Sequence, residues 1–225
     1  MKIAAAAYRP EWHTDWSVMA AKLDAWVADA SGQGAALLIF PEYGGIEATL
    51  IGPHQVETDP LVWRNRMVAA ADDWRDLHVG LARKYGVHIL AGGLNAQASQ
   101  GIVNRAFLCA PDGHVAHQDK LIMTPYERIE MQLAVGTRIN AFDTGLGRIG
   151  VLICYDSEFP LQARVLVESG VTMILVPSAT SFPAGYTRVS QSCRARAIEG
   201  QCLLIQSPVL GPVPGCEIVD TDVGA

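Results

Sequence analysis

Three reactive side chains stand where predicted strands of the sequence end. Glu42 follows ALLIFP, Lys120 follows HVAHQD, and Cys154 closes RIGVLIC. In layered α/β folds, the ends of strands and the loops beyond them carry most of the chemistry. A thiol, a carboxylate and an ammonium group at such ends could perform covalent catalysis, with a nucleophile, a base and a cation that stabilises an oxyanion.

Cys154 has the most informative surroundings of the three. It lies where a predicted strand meets a predicted helix, and such a junction exposes a nucleophile at the top of a sheet. The unpaired N–H groups and partial positive charge of a helix N-terminus favour thiolate over thiol. The alternative is a buried structural cysteine, because free cysteine is among the most buried residue types.

Glu42 and Lys120 each have a catalytic and an ordinary interpretation. Glu42 follows a fully apolar strand, and loss of solvation would raise its pKa toward the range of a general base. It could equally be a loop carboxylate that accepts backbone N–H groups near Gly44 and Gly45. Lys120 would stabilise an oxyanion and a thiolate as a fixed cation, or it could be a surface lysine.

Other catalytic and metal chemistries have weaker support. None of the six histidines lies at a strand end beside an orienting Asn or Asp, which disfavours a cysteine–histidine protease. His114 and His117 lie three residues apart on a predicted strand and point to opposite faces, and HExxH is absent. No pair of cysteines has CxxC spacing, which disfavours a zinc site or a disulfide framework. We therefore expect no metal, no cofactor and a reducing, cytoplasmic setting.

The elements that must position these residues alternate between strands and helices. Apolar runs predict strands at 2–8, 35–40, 87–93, 148–154, 171–177, 201–207 and 215–221. Helical periodicity predicts helices at 16–30, 61–84, 159–170 and 187–200, and Pro111-Asp112-Gly113 predicts a hairpin within 102–120. Residues 119–140 read as irregular. This order indicates an α/β fold whose helices cover the faces of sheets.

Composition excludes several classes of protein. Half of the 225 residues are apolar and 18% are charged, which rules out a mainly disordered chain. A formal net charge of −6 without a basic run disfavours a nucleic-acid partner. The longest apolar runs fall far short of the ~20 residues of a membrane helix, so no membrane association is expected. No linker or internal repeat divides the chain, which favours one domain.

Longer motifs around the three residues resemble one family. FPEYGG, HQDKLIMTPYE and ICYDSEFP, which surround Glu42, Lys120 and Cys154, resemble the nitrilase, or carbon–nitrogen hydrolase, superfamily. NRAFLCAPDGHV and RARAIEGQCLLIQS add to the likeness, which extends over residues 2–221 with the motifs in order. It implies a four-layer αββα sandwich that forms a homodimer or a larger homo-oligomer.

The resemblance also implies roles for individual residues. Glu42 would be the general base and acid, Lys120 the oxyanion stabiliser and Cys154 the nucleophile. A second glutamate would orient the catalytic groups. Glu127 in TPYER fits that place, with Glu130 as the alternative.

A pocket around the nucleophile is expected from the same resemblance. Its members would be Tyr155, whose N–H would add an oxyanion donor, with Tyr126, Asp156, Glu158 and Ser178. Cys154-Tyr155-Asp156 is similar to the amidase branches. Those branches usually carry Arg where this chain has Glu158, so a neutral or cationic amide fits at least as well as a dicarboxylate-like one.

The expected activity is hydrolysis of a small linear amide to a carboxylate and ammonia or an amine, through a thioester on Cys154. Alternatives on the same residues are a nitrilase and an N-carbamoyl amide hydrolase. An acyltransferase and a non-catalytic binding protein are the rivals from other classes. Relatives usually continue beyond EIVDTDVGA. We therefore expect residues 1–225 to form one carbon–nitrogen hydrolase domain whose last strand and tail are short, trimmed or outside this sequence.

Overall fold

Two mixed β-sheets flanked by helices form the fold in a computed structural model, which describes residues 1–219. The first sheet contains, in spatial order, β1 (Lys2–Ala5), β2 (Ala35–Ile39), β3 (His88–Ala98), β4 (Gly101–Cys109) and β5 (Val115–Asp119). The second contains β6 (Ala141–Thr144), β7 (Gly147–Val151), β8 (Met173–Ser178) and β9 (Leu203–Pro208). Strands β1–β3 and β7–β9 run parallel within their sheets, and the remaining pairs are antiparallel.

Five α-helices accompany the sheets in the described part of the chain. They are α1 (Trp16–Gly32), α2 (Pro60–Tyr85), α3 (Pro125–Ile129), α4 (Pro160–Glu168) and α5 (Pro183–Gly200). The side chains of Asp15 and Asp59 accept backbone N–H groups at the starts of α1 and α2. Gly86 ends α2 with a φ of 65°, a left-handed conformation that glycine adopts without strain. These caps explain why α1 and α2 begin and end within two residues of the predicted bounds, whereas α5, which has no side-chain cap, begins at Pro183 and not at the predicted residue 187.

Side chains along β2 point alternately to the two faces of the sheet, and this alternation explains the order of the layers. Leu38 and Phe40 join the core that includes Leu23 of α1 and Trp74 of α2. Leu37 and Ile39 point to the opposite face and join the core of the second sheet and helices α4 and α5. A strand buried on both faces reads as a continuous apolar run, as this one does. The layers are therefore helix, sheet, sheet, helix, which confirms the predicted αββα sandwich.

Several predicted elements differ from the structure. Strand β1 ends at Ala5, and Tyr8 forms only an isolated bridge with Val209. Strand β3 continues past Gly92 and Gly93 to Ala98, with a shift in register at the glycines. The stretch 119–140, predicted to be irregular, contains α3, and β6 was not predicted.

The prediction of a strand at 215–221 is wrong for residues 215–219, which the structure describes. Glu217–Val219 forms a short 3-10 helix, and Cys216 makes one isolated bridge to Glu57. Gly215, with a φ of 79°, turns the chain just before it, which interrupts an extended conformation. Residues 220 and 221 of that prediction lie outside the described residues.

Within residues 1–219, no helix combines the length and the apolar character needed to cross a membrane.

Candidate active site

Glu42 lies just past the end of β2 and is almost fully buried, with 1% of its surface exposed. The backbone of β3 passes close behind it. A Cβ atom on Gly92 would lie 2.2 Å from the carbonyl oxygen of Pro41, and one on Gly93 would lie 3.4 Å from Cα of Glu42. Both glycines are therefore required for the strand to support Glu42 at this distance.

Lys120 follows β5 and is also buried. Its Nζ lies 2.8 Å from Oε1 of Glu42 and 2.7 Å from Oε2 of Glu127. All three side chains are at most 3% exposed, so these are ion pairs withdrawn from water. Such pairs keep their charges because each neutralises part of the other's cost of burial.

Glu127 is held by the first turn of α3. The side chain of Thr124 accepts the backbone N–H of Glu127, while the Glu127 carboxylate accepts the N–H of Thr124, which is a capping box. The hydroxyl of Tyr43 donates to Oε1 of Glu127 at 3.0 Å. Glu130, the alternative second glutamate, is exposed at the end of the same helix.

Asn104 joins the two carboxylates from β4, and sequence reasoning missed it. Its Nδ2 donates to Oε1 of Glu42 at 2.8 Å and to Oε1 of Glu127 at 3.0 Å. It is fully buried, as is Asn95, its partner across the β3–β4 pair. The signal in the sequence was an asparagine at 104, among the apolar residues of the predicted hairpin, since a buried amide usually needs a hydrogen-bond partner.

Cys154 occupies a strained turn after β7, at the start of the 3-10 helix Cys154–Glu158. Its φ is 46°, a left-handed conformation that is rare for a residue with a side chain. Its thiol lies 3.4 Å from the carbonyl oxygen of Ala179. The N–H of Ala179 donates to Oε2 of Glu42 at 2.9 Å. Ala179, just after β8, therefore contacts both reactive side chains through its backbone, a role no side-chain pattern reveals.

Burial, more than the turn, sets the protonation of Cys154. Burial and the neighbouring Glu42 carboxylate raise the pKa of the thiol well above its ordinary value, and Lys120 only partly opposes them. Burial and the Glu42 charge therefore favour the thiol, whereas the sequence predicted a preference for thiolate. The resting cysteine is a neutral thiol that needs a base.

Glu42 and Glu127 differ in their affinity for a proton. Burial raises the pKa of Glu42, with the nearby Glu127 charge adding to the effect and Lys120 opposing it. Burial also acts on Glu127, but Lys120, Thr124 and Asn104 outweigh it and lower its pKa. The Lys120 pKa is raised well above its usual value, because the two carboxylates outweigh the effect of burial. Glu42 is thus suited to exchange a proton, and Glu127 to remain an anion that keeps Lys120 charged.

A cavity of about 470 Å³ opens onto these side chains. Glu42, Lys120, Glu127 and Cys154 all line it. Three of the five predicted pocket residues also line it: Tyr126, Tyr155 and Glu158.

The other two predicted pocket residues lie outside the cavity. Ser178 is buried on β8, where its hydroxyl lies 3.4 Å from the carbonyl oxygen of Ser207 and accepts from Gln206 at 3.2 Å. Asp156 accepts the backbone N–H groups of Ile122, at 2.8 Å, and of Ile153, at 3.2 Å. It thereby ties the segment after Lys120 to the turn that carries Cys154. Burial raises the pKa of Asp156 to about 7.

Among residues 1–219, no group of three or more His, Cys, Asp or Glu side chains is arranged to hold a metal ion.

The family follows from comparison with known sequences. The sequence model of the family described as Carbon-nitrogen hydrolase matches residues 2–211. The chain belongs to the carbon–nitrogen hydrolase family.

Solved structures from the nitrilase superfamily share the fold. An amidase from Nesterenkonia sp. AN1 superposes with a TM-score of 0.70 at 25% identity, covering 95% of this chain and 79% of that chain. Saccharomyces cerevisiae Nit3 superposes with a TM-score of 0.72 at 19% identity, covering 92% of this chain and 75% of that one.

Curated relatives of this carbon–nitrogen hydrolase are longer than the chain itself. A Bacillus subtilis protein described as probable hydrolase YhcX is 31% identical over 98% of this chain, which covers 42% of that protein. The deaminated glutathione amidase of Yersinia enterocolitica is 29% identical over 58% of this chain, and the match covers 50% of that enzyme. Each match thus spans half or less of the length of the relative.

Proposed function

We propose that this carbon–nitrogen hydrolase cleaves a small linear amide to a carboxylate and ammonia or an amine, through a thioester on Cys154. The observation that carries the proposal is a neutral thiol and a carboxylate with a raised pKa beside each other in one cavity, with a buried ammonium 2.8 Å from that carboxylate. This arrangement provides a nucleophile, a base and a cation for the oxyanion.

In the first step, Glu42 removes the thiol proton as Sγ of Cys154 forms a bond with the amide carbon. The carbonyl oxygen gains negative charge, which Lys120 and the N–H of Tyr155 stabilise. One donor of this kind contributes roughly 10²–10³ in rate. Glu42 then returns the proton to the nitrogen, the carbon–nitrogen bond breaks, and ammonia or the amine leaves.

In the second step, Glu42 removes a proton from water as the water oxygen attacks the thioester carbon. The carbon–sulfur bond breaks, the carboxylate leaves, and Sγ of Cys154 regains its proton. Glu127 remains ionised throughout and holds Lys120 in place. A glutamate-to-glutamine variant of the Nesterenkonia amidase carries acrylamide, or the acetamide moiety of fluoroacetamide, added at the active-site cysteine of that enzyme.

Release of ammonia tests the proposal. The intact protein is incubated with linear amides, ω-amides, carbamoyl compounds and nitriles, and Cys154→Ala and Cys193→Ala are assayed alongside it. Cys193 is a buried thiol outside the cavity lining, so its variant controls for loss of a cysteine. We expect ammonia from at least one amide with the intact protein and Cys193→Ala, and none with Cys154→Ala.

Three outcomes would change the assignment. No release from any substrate would contradict a hydrolase, and undiminished turnover in Cys154→Ala would remove the nucleophile. Carboxylate from a nitrile but not from an amide would favour a nitrilase. Nitriles belong in the panel because a plant nitrilase is among the similar proteins. The Lupinus angustifolius enzyme described as a bifunctional nitrilase/nitrile hydratase is 25% identical over 83% of this chain.

We also propose that the chain acts as a homodimer packed through α4 and α5. Large apolar side chains on these helices are exposed, with Leu161 at 74% and Ile198 at 78% of their surface. Contiguous exposed apolar surface commonly marks an interface. Light scattering that gave the mass of one chain, 24.2 kDa, would contradict this proposal.

A further inference from the structure

Negative charge predominates among the residues that line the cavity. The lining contains four carboxylates and two cations, namely Glu42, Glu127, Glu158, Glu217, Lys120 and Arg188. Lys120 is already shared between two of the carboxylates at 2.8 and 2.7 Å. A bound molecule therefore meets a net negative surface, which favours a cation over an anion.

Glu158 is the carboxylate best placed to contact the far end of a substrate. It ends the 3-10 helix that begins at Cys154. At a rise of about 2 Å per residue, the two backbones lie ~8 Å apart along that helix, a distance that a short aliphatic chain spans. The side chain is 16% exposed, so its charge is only partly screened by water.

The present partner of Glu158 is weakly held. Nε of Arg188 lies 3.3 Å from Oε2 of Glu158, and the Arg188 side chain is 60% exposed. Ion pairs with an exposed partner contribute little, typically below ~1 kcal/mol, so a substrate cation can replace Arg188 at small cost.

Aromatic rings provide a second, independent indication. Tyr126, Tyr155 and Phe182 also line the cavity. The faces of such rings attract ammonium and guanidinium groups. Rings and carboxylates together suit a cation better than either a carboxylate or a purely aliphatic end.

We propose that the substrate is an amide whose far end carries a positive charge, an ammonium or a guanidinium group, and that Glu158 binds this charge in place of Arg188. The inference rests on the proposed hydrolase function. It makes Glu158 the residue that determines the charge class of the substrate.

Three amides of similar length test the proposal. Hexanamide, ω-aminopentanamide and glutaric acid monoamide end in a methyl, an ammonium and a carboxylate group. We expect kcat/KM, measured from ammonia release, to be at least about tenfold higher for ω-aminopentanamide than for hexanamide, as one charge-assisted contact provides. Glutaric acid monoamide should be the poorest substrate.

Variants of Glu158 then assign the preference to this residue. Glu158→Gln should reduce the ratio of kcat/KM between ω-aminopentanamide and hexanamide to near one, and Glu158→Arg should favour glutaric acid monoamide. Glu11→Gln is the matched control. It removes one half-exposed carboxylate that pairs with Lys22 and does not line the cavity, and the ratio should stay as in the intact protein.

The possible failures are distinguishable. Ammonia release without a preference for the ammonium substrate, or an unchanged ratio in Glu158→Gln, would overturn this inference and leave the hydrolase intact. No ammonia from these three amides or from the broader panel would overturn the proposed function, and this inference with it.

Discussion

The protonation states of Cys154 and Glu42 depend on each other. Burial alone would keep the thiol protonated, and the adjacent carboxylate strengthens that effect. The same burial raises the pKa of Glu42, which makes this carboxylate a stronger base toward the thiol. The site is therefore poised for transfer of a proton during attack, and no preformed thiolate is needed.

Asn104 provides a prediction at this scale. Its amide donates to both Glu42 and Glu127, so Asn104→Leu should let the two carboxylates separate. We expect kcat to fall by roughly 10²-fold, the effect of a misplacement of about 1 Å, with a smaller change in KM. Steady-state kinetics on the preferred amide checks this.

Asn65→Leu, a substitution of an exposed asparagine on α2, is the control and should leave both constants unchanged. Equal kinetics for Asn104→Leu and the intact protein would show that the amide does not position the carboxylates. Because Asn104 acts as a positioning residue, Asn104→Asp should also impair kcat, since it adds a third carboxylate to the cluster.

Sequence reasoning located some of these residues better than others. Glu42, Lys120 and Cys154 were found because each carries a reactive group at the end of a predicted strand. Asn104 and Tyr43 were missed because their function depends on distances between strands far apart in sequence. The protonation of Cys154 was misjudged, since the degree of burial cannot be read from the local sequence.

Close approach between elements positions Glu42, and Gly93 on β3 lies directly against both Glu42 and Asn104. A Cβ on Gly93 would lie 2.8 Å from Oδ1 of Asn104 and 3.4 Å from Cα of Glu42. Gly93→Ala should therefore lower the free energy of unfolding by about 1–3 kcal/mol, the usual cost of overpacking, and reduce activity. Urea denaturation measures the first effect.

Gly80→Ala is the matched comparison. Gly80 lies inside α2 with open space where a Cβ would be, so alanine should stabilise the protein by roughly 0.5–1 kcal/mol. Activity should be unchanged, because Gly80 is exposed and on the far side of the helix layer from the cavity. Stabilisation by Gly93→Ala would contradict the account of close approach.

Elements with strong local signals were the ones that the sequence predicted well. Helices α1 and α2 have Asp caps and long apolar stripes. By contrast, β6 has four residues and α3 has five, too few to display a period. Glu217–Val219 has the composition of a strand but forms a 3-10 helix, because Gly215 turns the chain just before it.

Stability of the whole molecule should depend on pH through His78. Burial lowers the pKa of His78 to about 4 from an ordinary 6.5. Its Nδ1 lies 2.8 Å from the carbonyl oxygen of Trp74, and Nε2 has no hydrogen-bond partner among the described residues. His78 therefore takes up a proton at a higher pH in the unfolded chain than in the folded one. The contribution of neutral His78 to the free energy of unfolding is complete above pH 6.5, and about 3 kcal/mol of it is lost as pH falls through 4.

Chemical denaturation at several pH values checks this linkage. His78→Gln should be less stable at neutral pH but should lose less stability than the intact protein between pH 6.5 and 4. His114→Gln, which removes a histidine that is 89% exposed, should follow the intact protein. Parallel pH profiles for His78→Gln and the intact protein would contradict a neutral, buried His78.

The chemistry proposed for the molecule can be tested most directly by trapping the thioester. Rapid acid quenching during turnover of an amide, followed by peptide mass spectrometry, should find the acyl group on the peptide that contains Cys154. The four other cysteines, which are Cys109, Cys193, Cys202 and Cys216, should remain unmodified. An acyl group on another residue, or turnover with no acylated Cys154 at any time point, would contradict the account.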